Sequence, residues 1–175
     1  MTSLVPDAPW YHTLLATVQA QQAGVVDRLG RPWAQHFERV ALRTLFRNPV
    51  VSRAQIEAAL LHDAFMDRGG GTAMLSLLGI GPEATAIIRI TTPPPDADYY
   101  RDFERIGPAE CERYLAYISG LAASGERAAI EMKLADITDT IDACRAGATP
   151  VLAGQFYNRY EPSRRILETT LSTMV

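Results

Sequence analysis

The sequence predicts an all-α chain, and three observations carry that expectation. Apolar residues recur at spacings of three and four through most of its length. Strand-type alternation is nearly absent, Ile88–Thr92 being the one stretch that also reads as a strand. Glycine and proline clusters interrupt the pattern at intervals of one helix each. At 175 residues, 47% hydrophobic and 21% charged, the chain can bury a real core, and one domain over 1–175 is expected.

The elements follow in order. Leu14, Leu15, Val18 and Val25 suit an amphipathic first helix, ended by Gly24 and the Asp27–Gly30 stretch. Pro32 can open a second helix, since its missing N–H is no loss in a first turn. That helix runs through His36, Val40 and Leu45 until Asn48-Pro49 stops it. Ser52-Arg-Ala-Gln55 is a capping-box signature for a third helix, with Ile56, Ala59, Leu60 and Asp63 on one face and Gly69-Gly70-Gly71 as its break. Short helices around Thr72–Leu78 and from Gly81-Pro82 through Ile90 precede the stiff Pro93-Pro94-Pro95. Asp96–Ile106, Pro108–Ala123, Glu126–Arg145 and Gln155–Leu171 complete the pattern.

Composition excludes several functions. The charge is −3, with 17 Lys+Arg against 20 Asp+Glu, which argues against duplex nucleic acid as a partner. No apolar run approaches the roughly 20 residues of a membrane span, so no membrane partner is expected. Met1–Trp10 has the features of neither a signal nor a transit peptide, so the expected location is the cytoplasm. Two cysteines, Cys111 and Cys144, are too few for a zinc module or a disulfide scaffold and read as buried small hydrophobes. Lys133 is the sole lysine, so almost all positive charge is arginine, which forks onto phosphate or carboxylate oxygens.

One constellation carries chemistry. His62-Asp63 follows the apolar run Ala58-Ala-Leu-Leu61, where two polar groups are costly unless satisfied. A divalent metal satisfies both. His36 lies about one helix and one turn earlier, a separation that adjacent antiparallel helices close. Asp136 stands among apolar residues of a strongly helical segment, with Asp139 and Thr140 on its face. His36, His62, Asp63 and Asp136 thus make a two-histidine, two-aspartate set with coordination positions left for water. The plainer reading, in which each histidine is a hydrogen-bonded core residue, stays open on the residues alone; His12 is assigned to it or to the surface. Tyr160 is a candidate pocket-lining residue. Gly69–Gly71 is a turn and not a phosphate loop, because no Lys-Ser/Thr follows.

The order His…His-Asp…Asp on helices resembles the HD-domain metal-dependent phosphohydrolase superfamily. Gln22-Ala-Gly24-Val-Val-Asp27-Arg-Leu-Gly30-Arg-Pro32-Trp-Ala-Gln-His36 is similar to the Ala-His-x-Gly-Gln-x-Asp-x-x-Gly-x-Pro-Tyr-x-x-His stretch of the small alarmone hydrolases and of the hydrolase domain of RelA/SpoT stringent-response proteins. Ala58-Ala-Leu-Leu-His62-Asp63-Ala-Phe-Met-Asp67 resembles their Ala-Ala-Leu-Leu-His-Asp-x-x-Glu-Asp, and Lys133-Leu-Ala-Asp136 their Lys-Leu-Ala-Asp. The resemblance runs from about Ala20 to Ala143. It implies an HD-domain helical bundle and a manganese-type site on His36, His62, Asp63 and Asp136. It also implies an enzyme that removes the 3′-pyrophosphate of guanosine tetra- or pentaphosphate (ppGpp, pppGpp) with a metal-activated water. Asp67 would orient or deprotonate that water. Arg28, Arg39 and Lys133 would meet phosphates, and Thr140 and Tyr160 would line the nucleotide pocket; Lys133 is equally placed to pair with an acidic neighbour. A homo-oligomer is left open.

The chain also departs from the pattern. Met66 stands where the family has a glutamate thought to help activate the water, and a thioether accepts no proton. Loss of a general base costs ~100- to 10,000-fold. Gln22, Val25 and Thr140 replace the family's histidine, glutamine and asparagine, and the basic pair of the first helix has no counterpart around Thr17–Gln21. These changes touch nucleotide recognition, so another HD-type nucleotide phosphohydrolase activity stands as an alternative. A degenerate domain that binds a nucleotide or protein without turnover is a second.

Overall fold

Helices form where the apolar spacing asks for them. The computed structural model describes the chain except residues 1–4, 28, 49, 64–70, 94–106, 148–153, 155 and 175. After a 3₁₀ turn at Val5–Asp7 come α1 (Pro9–Gln21), α2 (Ala34–Arg47), α3 (Arg53–Leu61), α4 (Gly71–Leu77), α5 (Pro82–Thr91), α6 (Pro108–Ala123) and α7 (Arg127–Ala146). A π-helical turn at Phe156–Tyr160 leads into α8 (Glu161–Thr173). Among the described residues there is no strand, only an isolated antiparallel bridge between Val26 and Pro32. No described helix is long and apolar enough to cross a membrane.

The chain divides into two units, Met1–Arg89 and Ile90–Val175. In the first, α2 packs chiefly on α3, and α1 lies against both. Leu14, Leu15 and Val18 of α1, Phe37, Val40 and Ala41 of α2, and Ile56 with Ala58–Leu61 of α3 are buried together in its core. Burying a side chain such as Phe37 or Ile56 is worth ~1.5–3 kcal/mol against exposure. Ser52 caps α3, its Oγ accepting the Gln55 N–H at 3.2 Å, which is the first half of the expected capping box.

In the second unit α7 packs on α8, while the π turn meets α6, α7 and α8. From Ala129 to Ile137 every residue of α7 is buried, polar ones included. A helix buried all round must neutralise its own charges. Here Arg127 Nε meets Glu131 Oε1 at 2.9 Å, and Lys133 Nζ meets Asp136 Oδ2 at 2.7 Å.

Some element boundaries differ from expectation for local reasons. Val25 lies beyond α1 and is exposed, because Gly24, at φ +80°, turns the chain out of the helix just before it. Pro32 does not begin α2: its backbone is tied to Val26, its carbonyl accepts the Gln35 N–H, and the helix proper starts at Ala34. Ile88–Thr91 is helical, within α5. The helix expected over Gln155–Leu171 is broken into a π turn and α8. Pro162, near the start of α8, has no N–H to give the carbonyl one turn back, and a wider turn precedes it. The expected helix Asp96–Ile106 lies outside the described residues.

Candidate metal centre

His36 sits in the first turn of α2 and is 5% exposed. Its ring faces Trp33 with centroids 5.0 Å apart and planes tilted by 33°, and it meets Phe37 and His62 edge-on at 5.5 and 5.3 Å. Phe37 also meets His62, at 5.4 Å. Two imidazoles and Phe37 thus form one buried cluster in the first unit, with the half-buried Trp33 on its edge.

His62 caps the C-terminus of α3 and is 1% exposed; the buried run Ala58–Leu61 carries it inward. Its Nδ1 lies 2.9 Å from the Ala59 carbonyl oxygen. A carbonyl only accepts, so Nδ1 carries the proton, and in the neutral ring Nε2 presents its lone pair. That Nε2 lies 3.5 Å from Asp63 Oδ2. A lone pair and a carboxylate oxygen at that distance repel unless a proton or a cation lies with them. The donor chemistry therefore fits a divalent cation, with the ring held in the ligand tautomer by a backbone carbonyl, as is usual for metal-binding histidines.

In the second unit, Asp136 on α7 is buried with Lys133 one turn before it. The lysine takes one of the roughly four lone pairs a carboxylate offers. Lys133 Nζ also lies 6.0 Å from the Tyr117 ring centroid. Asp139 is buried on the same face, and Thr140 Oγ1 donates to the Asp136 carbonyl oxygen at 3.1 Å. Tyr160 is buried, its ring 6.1 Å from Tyr114. Burial pushes the Tyr114 phenol up to about 12, against the pull of Lys133 and Arg159, so it stays protonated as a donor at neutral pH.

Arg39 is half-buried on α2, three residues after His36. His12 is exposed, and Tyr157 is 68% exposed. Cys111 and Cys144 are both buried, as their surroundings in the sequence suggest. Asp67, Arg28 and Met66, and with them Tyr99 and Tyr100, lie outside the described residues. Among those described, His36 and His62 of the first unit and Asp136 of the second are buried, and each offers a ligand atom of a kind that holds metal ions.

Sequence reasoning missed two residues. Arg159 is fully buried, its Cζ 3.9 Å from the Tyr114 ring centroid and 5.2 Å from that of Tyr160. It is one arginine among many, and the only signal was its place beside Tyr160. Trp33 carried a faint signal as the aromatic three residues before His36.

No protein-family profile matches the sequence, and no curated protein matches it. A solved structure does: that of a metazoan ortholog of SpoT, described as hydrolyzing ppGpp and playing a role in starvation responses. It superposes with a TM-score of 0.70 at 16% identity, covering 96% of this chain and 98% of that one. This chain accordingly has the all-α, HD-domain-like fold of an alarmone hydrolase.

Proposed function

We propose that this chain is a metal-dependent phosphohydrolase acting on a nucleotide, with removal of the 3′-pyrophosphate of ppGpp as its first candidate reaction. The observation that carries the reading is the buried imidazole pair, rings 5.3 Å apart, with His62 in the ligand tautomer beside the Asp63 carboxylate. The shared fold with a SpoT ortholog supports it. In this reading His36, His62, Asp63 and Asp136 hold a divalent ion, manganese by family resemblance. Such an ion supplies a water of lowered pKa and offsets charge on phosphoryl oxygens. Asp67 orients the water or takes its proton. Arg28 and Arg39 hold phosphates, and Thr140 and Tyr160 line the nucleotide pocket. Lys133, already 2.7 Å from Asp136, keeps that carboxylate oriented, and its phosphate contact is the alternative role.

Assay of the purified chain with manganese and a nucleotide panel tests this. Pyrophosphate release from ppGpp, lost in His62→Ala and Asp136→Asn, is the expected result. Orthophosphate release from mononucleotides would move the substrate and keep the chemistry. Bound metal without turnover on any nucleotide would leave a binding domain, the reading favoured by Met66 at the family's glutamate position. Met66→Glu separates an impaired hydrolase from a binding domain: a large gain on ppGpp means that the family chemistry is only impaired.

A further inference from the structure

The segment between α1 and α2 is built more tightly than a connector requires. Gly24 and Gly30, at φ +80° and +73°, turn the chain where a β-carbon would be strained. Between them the backbone closes on itself, Asp27 N–H donating to Arg31 O at 2.8 Å and Trp33 N–H to Val25 O at 2.9 Å. The Asp27 carboxylate then locks the loop from within. Its Oδ1 accepts from the N–H groups of Leu29 and Arg31 at 2.8 and 2.9 Å, and its Oδ2 from Arg31 Nε at 2.7 Å. Burial alone would raise this carboxyl; the donors of Arg31 and Leu29 outweigh it and hold it below the usual carboxylate range.

A locked loop needs something to deliver, and it ends on Trp33. The indole lies over His36 at 5.0 Å and edge-on to Phe37 at 6.1 Å. With Phe37 and His62 occupying other sides of the imidazole, the indole closes the remaining aromatic wall. We infer that Trp33 is a positioning residue that sets the angle of the His36 ring, and that the Asp27–Arg31 clamp holds Trp33 in place to do so. A ligand ring held at one angle loses less rotamer freedom on binding a cation, and outer partners of this kind are worth on the order of 10-fold in metal affinity. The inference rests on the metal reading for its binding measurement, but not for its geometry.

The experiment therefore uses two readouts on the full chain. The first is the long-range ¹⁵N–¹H spectrum of the histidine rings in metal-free protein, with the His36 signals assigned by their loss in His36→Gln. The second is the Mn²⁺ dissociation constant. In wild type the His36 ring protons are expected upfield, shielded by the indole. Trp33→Ala loses that shift and weakens Mn²⁺ on the order of 10-fold, while Trp33→Phe keeps most of both. Unchanged His36 signals in Trp33→Ala, or a Trp33→Phe no better than alanine, would overturn the inference. Should Trp33→Ala fail to fold, Asp27→Asn decides: His36 signals and Mn²⁺ affinity like wild type sink the clamp. If wild type binds no Mn²⁺ while the ring shifts behave as expected, the metal reading falls and the placement of His36 by Trp33 stands.

Discussion

At the scale of single residues, the decisive chemistry is how buried charge is made tolerable. Lys133 and Asp136 have side chains 1% and 9% exposed and meet at 2.7 Å. Removing one partner of such a pair leaves the other desolvated and short of a compensating charge. Lys133→Met is expected to lower stability by about 3–5 kcal/mol in metal-free buffer. Urea unfolding measures it, and added Mn²⁺ should recover part of the loss if the stranded carboxylate is a ligand. The lysine's importance was visible as a rarity, being the sole one in the chain. Its pairing with Asp136 was not, because a spacing of three permits that ion pair while leaving a phosphate contact equally open, and side-chain direction decides between them.

At the scale of elements, caps and locked turns deliver the histidines to their places. The clamp at Asp27 gives this a pH signature. Its folded pKa is depressed, so its contribution to stability is whole above the unfolded carboxylate value and is lost as pH falls through the folded one. Acid titration of unfolding free energy should therefore show a falling limb below the ordinary aspartate range. Asp27→Asn should flatten that limb and lower stability near neutral pH; an unchanged limb would mean that the loop is not held by this carboxylate. The helix starts at Pro108 and Arg53 were legible because proline and a serine cap act within one turn. The start of α2 was not, since Pro32 was drawn instead into a pairing with Val26 across a turn. The π turn at Phe156–Tyr160 was likewise hidden in a pattern that reads as continuous helix.

At the scale of the whole molecule, binding and folding are linked. A cation that binds only the folded chain adds stability of RT ln(1 + [L]/Kd), about 2.7 kcal/mol at one hundred times Kd. Mn²⁺ should raise the melting temperature of wild type, a chelator should reverse the rise, and His62→Ala should abolish it; a chain whose melting ignores Mn²⁺ would count against the centre. By itself the sequence determined the all-α class and most helix spans, and it singled out the candidate donor residues. Those follow from periodicity and from residue types that are expensive to bury without a partner, both of which are local or chemical properties. The tertiary structure alone decided which nitrogen of His62 carries the proton, what stacks on His36, and that Arg159 is wedged against Tyr114 and Tyr160. Each of these depends on atoms that are brought close by packing and set at angles no spacing along the chain encodes.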